Sequence, residues 1–116
     1  MSINKTDYIM IGVNLINAIN SLKEKTLVQD IDYDKEFSKI KKELENQSLN
    51  YVYDALDGEY FIVGKIIKKC DYDDSFPITE INLSSCEKIK SIAKEKIELI
   101  FEKNINPQLL VFSHWH

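Results

Sequence analysis

The stretch Tyr51 to Cys70, YVYDALDGEYFIVGKIIKKC, constrains the fold more than any other part of the chain. Two runs of aromatic and β-branched residues, Tyr51-Val52-Tyr53 and Tyr60 to Ile67, flank a short polar loop carrying Asp57-Gly58. That is the pattern of a β-hairpin, with Gly58 free to take φ > 0 in the turn. Side chains alternate between the faces of a strand, so Tyr60, Ile62, Gly64 and Ile66 share one face of the second strand, and Phe61, Val63, Lys65 and Ile67 share the other. Both faces are apolar, which predicts a strand inside a sheet with its core on one side and a further covering, such as another subunit, on the other. Lys65, Lys68 and Lys69 mark the exit of the strand towards solvent.

Around this hairpin the chain reads as alternating strands and helices. Asp7 to Val13 is a short apolar run with β-branched residues and reads as a first strand. Asn14 to Lys25 has helical spacing at Leu15, Ile16, Ile19 and Leu22. Its asparagines are weak helix formers, so a short helix and an ordered loop are both open. Thr26 to Tyr33 reads as a connection, and Asp32 or Asp34 can cap a helix over residues 34–46 with Phe37, Ile40 and Leu44 on one stripe. After the hairpin, Asp71 to Leu83 reads as a loop. Ser84 and Glu87 have the spacing of a capping box opening a helix that reaches about Lys103, with Ile89, Ile92, Ala93, Ile97, Ile100 and Phe101 on one side. Leu109 to Ser113 is a last strand, followed by His114-Trp115-His116.

The order β-α-β-β-α-β predicts one α+β domain over residues 1–116. Its simplest closed form is a ferredoxin-like two-layer sandwich: a four-stranded antiparallel sheet in the order 4-1-3-2 with two main helices on one face. A chain of 116 residues with 44% hydrophobic content can bury one such core. It has neither an apolar run long enough to span a membrane nor the start of a signal peptide, which predicts a cytoplasmic protein with no membrane partner. Cys70 and Cys86 lack metal-type spacing and read as reduced thiols.

Charge narrows the function classes. The net charge is −4, and all 15 basic residues are lysine. Recognition of phosphate or guanine by the planar fork of arginine is therefore absent, and the acidic balance opposes nucleic-acid binding. The lysine-, isoleucine- and asparagine-rich composition is that of an A+T-rich genome, as in low-GC bacteria and their phages.

Sites of chemistry are few. Asp30, Asp32 and Asp34 should lie at the same end of the sheet as Asp54, Asp57 and Glu59, a carboxylate cluster able to hold a hard cation or meet a basic partner, although acidic residues also cap helices and solubilise turns. The opposite end should hold Asp71, Asp73 and Asp74 with His114 and His116. The intervening first strand sets these two groups about 10 Å apart at ~4.8 Å per strand, so a frayed, solvated terminus is the simpler reading there. No nucleophile elbow or phosphate-binding glycine loop is present. Tyr60 or Phe61 with Tyr8 could form a base-stacking platform, but the basic and glycine residues of such platforms are missing, and a core or interface role fits these rings better.

These features predict a small, acidic, non-enzymatic module that needs no cofactor and binds another protein or a second copy of itself. Its contact residues are expected among Tyr51, Tyr53, Asp54, Asp57, Glu59, Tyr60, Ile62 and Trp115. A bacterial or phage accessory inhibitor of the immunity type, sequestering a basic target, is one such use of the charge. The alternative is a small-ligand or metal-binding regulatory domain that uses the acidic loops or the terminal histidines.

Overall fold

The computed structural model describes residues 4–71 and 76–116. Strand β1 (Lys5–Asn14) is followed by helices α1 (Ile16–Gln29) and α2 (Tyr33–Asn46), then by strands β2 (Asn50–Tyr53) and β3 (Phe61–Asp71), helix α3 (Leu83–Phe101) and strand β4 (Gln108–Trp115). The result is α+β, a four-stranded sheet in the order β2-β3-β1-β4 with every pairing antiparallel. Among the described residues there are three helices where two main ones were expected.

The additional helix is α1. It takes up residues 26–29, which had read as a connection, and ends with Asp30 in the left-handed region, where the N–H of Ile31 reaches back to the carbonyl of Thr26. Its sequence pattern is faint because only Ile19 and Thr26 are fully buried, while Leu27 and Val28 point into solvent. Asp32 caps α2 by accepting from the amides of Asp34 and Lys35. That helix closes in a Schellman turn. Leu49 N–H bonds the Leu44 carbonyl, Ser48 N–H bonds that of Glu45, and the Leu44 and Leu49 side chains are both buried. At α3 the cap differs from the capping box read at Ser84. Asn82 accepts from Ser85 N–H, so Ser84 is already inside the helix.

The hairpin places β3 in the interior of the sheet, and its alternation separates two clusters. Phe61 and Val63 pack with Leu15, Ile19, Phe37, Leu44, Ala93 and Ile97, so all three helices meet one face of the sheet. On the other face Met10, Val52 and Ile62 are buried beneath Tyr8, Tyr60, Ile66, Leu110 and Phe112, with no helix of the described residues above them. A bulge opposite Ile9 and Met10 leaves Ile67 as the extra residue and returns Lys69 to the side of Tyr8. Lys68 and Lys69 thus lie within the ladder, opposite Ile9 and Tyr8, and do not mark the strand's exit. At the centre Gly12 faces Gly64. A Cβ on Gly64 would overlap the Ile11 carbonyl oxygen, and one on Gly12 would press on that of Val63. The strands approach this closely only because neither residue has a side chain.

Candidate functional site

The helix-free face is curled. Register sets Ile62 opposite Asn14 and His114 opposite Thr6, eight residues apart on β1, or about 26 Å in a flat ladder at roughly 3.3 Å per residue. Yet the Tyr60 hydroxyl lies 2.7 Å from His114 Nδ1. Right-handed twist lifts one diagonal pair of sheet corners towards the same face, and the bulge and the facing glycines let it do so here. The hairpin loop and the end of β4, expected at opposite ends, are thereby joined.

Aromatic rings line the concavity. Tyr8 stacks on Phe112 with centroids 5.4 Å apart, and Tyr60 meets Phe112 edge-on at 5.9 Å and His114 edge-on at 5.8 Å. His114 and His116 stack at 5.1 Å. Between the rings is a groove of about 340 Å³, lined in part by Asn14, Tyr60, Ile62, Leu110 and Phe112. Burial raises the Tyr60 hydroxyl pKa, and the nearby Asp54 carboxylate adds to that. Burial and the adjacent His116 hold His114 below its ordinary value, against the opposing pull of Asp54. A protonated tyrosine beside a neutral imidazole can share one proton between the Tyr60 oxygen and Nδ1, so the 2.7 Å contact is a hydrogen bond between them.

The loop beside the groove is built by Asp54, which is buried. Its two carboxylate oxygens accept from the amides of Asp57 and Glu59. Burial pushes this carboxyl up, but the N–H groups of Glu59, Asp57 and Leu56 together outweigh it and keep the pKa below the usual carboxylate range. With Gly58 at φ 66 closing the turn, Leu56, Asp57 and Glu59 are left exposed at the rim.

The residues expected to bind a partner therefore divide. Tyr60 and Ile62 belong to the groove, and Asp57 and Glu59 to its rim. Asp54 is turned inward and shapes the loop. Tyr51 and Tyr53 fall on the opposite face, because Val52 is the β2 residue that pairs with Ile62. Both rings pack against Phe61, and the Tyr51 hydroxyl donates to Glu45. Trp115 lies on the sheet's edge, half exposed, with the Lys5 ammonium 5.8 Å from its ring. Phe112 and Leu110 also line the groove and are not among the contact residues expected from the sequence. Their spacing with His114 in LLVFSHW is the period-two signal that would have found them.

At the far end His116 is not frayed. It exchanges both backbone hydrogen bonds with Asn4, and its Nε2 lies 3.0 Å from the Thr6 hydroxyl, which also donates to Asp71. Thr6 on β1 thus stands between the histidine and the carboxylate. Asp73 and Asp74 fall outside the described residues. Among the described residues no three metal-ligating side chains converge, and no helix is long and apolar enough to cross a membrane. Cys70 and Cys86 are free thiols.

Fold and site together define an α+β sheet protein whose helix-free face is a curled, aromatic-lined groove. No protein-family model matches the chain, and no solved structure does. It is similar to a stretch of DNA topoisomerase 2 from Plasmodium falciparum (isolate K1 / Thailand), 35% identical over 115 residues and covering 92% of this chain. The chain spans about 8% of that protein's length.

Proposed function

We propose that the protein is a non-enzymatic binding module whose groove receives an apolar side chain of a protein partner, flanked on that partner by basic residues. The observation that carries this reading is the apolar sheet face without a helical layer, bordered by Asp57 and Glu59. An acidic rim favours a cationic partner and speeds encounter more than it adds affinity. Target sequestration, as by an accessory inhibitor, is the use of such a surface that fits the net charge of −4. The likeness to a segment of DNA topoisomerase 2 covers too little of that protein to bring its activity here, and the acidic balance weighs against a contact with the DNA backbone. We also read the sheet as a ferredoxin-like variant elaborated by α1: its order from the other edge is 4-1-3-2 and its pairings are all antiparallel.

The test is a photo-crosslinking amino acid at Phe112, with exposed Lys42 on α2 as the control position. Protein adducts at 112 that are absent at 42, and that weaken when Asp57 and Glu59 are changed to lysine or when salt is raised, are the expected result. Equal labelling at the two positions would remove the reading.

A second reading, a small-molecule site, is favoured by the size of the groove, which lies within the range of ligand pockets. A hydrophobic dye displaced by no protein fraction but by an aromatic small molecule would favour it.

A further inference from the structure

Strand β4 is an edge of the sheet, eight residues long, and no described residue pairs with its outer side. Edge strands are ordinarily protected by lysines, prolines, bulges or brevity. The other edge, β2, has only four residues. Gln108 to Trp115 has no charged residue and no proline, and Leu109, Val111 and Trp115 are 47%, 69% and 50% exposed.

The direction of the free backbone groups can be read from the pairing. Asn4 and His116 exchange both their N–H and C=O groups, so the even-numbered residues of β4 turn their hydrogen-bonding groups towards β1. Leu109, Val111, Ser113 and Trp115 therefore present theirs outward. These are also the residues whose side chains stand on the helix side of the sheet, beyond the helices' cover.

We infer that β4 pairs antiparallel with β4 of a second copy, about a two-fold axis at Phe112, joining two four-stranded sheets into one. In this register Leu109 lies opposite Trp115 and Val111 opposite Ser113, so all four outward residues meet outward residues and exchange about eight backbone hydrogen bonds. Centring the axis on Val111 instead would set Trp115 against Pro107, which lies outside β4 and has no N–H to give, and would leave three full pairs and about six bonds within the strand. The register about Phe112 also pairs two of the three exposed large side chains, Leu109 with Trp115, and sets the two Phe112 rings side by side at a close, non-hydrogen-bonded position. A second copy is the occupant that this self-complementary register fits, since every outward residue finds an outward residue of its twin. The chain has a net charge of −4, but the strand itself carries no charge to oppose the pairing.

The experiment is the solution mass of the 116-residue chain by light scattering over a wide concentration range, with Val111→Pro and Val111→Lys alongside. Val111→Pro removes an amide that points away from β1, so the β1–β4 ladder and the circular dichroism spectrum should persist. A dimer for the parent chain, and half that mass for both folded variants, is the expected result; Trp115 emission should shift to the blue as the dimer forms. A parent chain that stays monomeric overturns the proposal, and so does a dimer that survives in both folded variants.

Discussion

The Tyr60 hydroxyl stands 2.7 Å from Nδ1 of His114 and ties the hairpin loop to the far end of β4 across the curled face. This half-buried hydrogen bond is a clasp on the groove. Tyr60→Phe keeps the edge contact with Phe112 and removes the bond, and should cost about 1 kcal/mol in urea denaturation.

The same pair sets a pH response. The folded pKa of His114 is depressed below 6.5, so the unfolded chain binds the proton first as pH falls. The stability involved is fully present above the unfolded value and is lost as pH drops through the folded one. Because His116 is the second cause of the shift, His116→Gln should bring the His114 titration, followed by NMR, back towards 6.5. A titration that does not move would show that burial acts alone.

Asp54 adds a second acid-sensitive element at lower pH. Its folded pKa lies below 3.8, so its contribution is present above that value and disappears as pH falls through the depressed one. Asp54→Asn should lower Tm at neutral pH, by losing charge-assisted bonds to the loop amides, and should flatten the fall of Tm with acid. Parallel melting curves for parent and variant below pH 5 would contradict this.

Two glycines should behave differently on replacement by alanine. Gly58 has φ 66 and open space around it, so Gly58→Ala costs only left-handed strain, about 1–2 kcal/mol, and the protein stays folded. Gly64→Ala drives a methyl group into the backbone of β1 and should cost about 3 kcal/mol or more. Denaturation midpoints of the two variants decide the ranking.

Ser48 holds φ 58 at the end of α2, where glycine would be unstrained. Its carbonyl, which accepts from the Lys65 ammonium, survives any side-chain change. Ser48→Gly should therefore stabilise by up to about 1 kcal/mol, the relief of strain less the added freedom of the unfolded chain, with a matching rise in Tm.

Much of this arrangement is legible in residue patterns. The hairpin, both strongly amphipathic helices and the division of β3 into two apolar faces follow from periods of two and 3.6. Helix α1 is only half legible: residues 14–25 have helical spacing, but three asparagines at or near its start lower its propensity, and its full length to Gln29 depends on packing against α2 and β3. The cap at Asn82 is obscured by a better-known pattern two residues later. The site is legible only in part. Tyr60 and Ile62 can be placed on one face from their own strand, but bringing Tyr8, Phe112 and His114 to them requires the strand order and the coil of the sheet. Tyr51 and Tyr53 mislead because aromatic character reports burial and not the side on which it occurs.

The facing glycines at positions 12 and 64, with the bulge opposite Ile9 and Met10, let the backbone itself curl beneath the groove. Curvature and lining are thus separate variables in this protein. The rings at positions 8 and 112 can be exchanged to alter what the surface admits while the bowl beneath them is retained, which makes the face a mould whose selectivity can be rewritten without recasting its form.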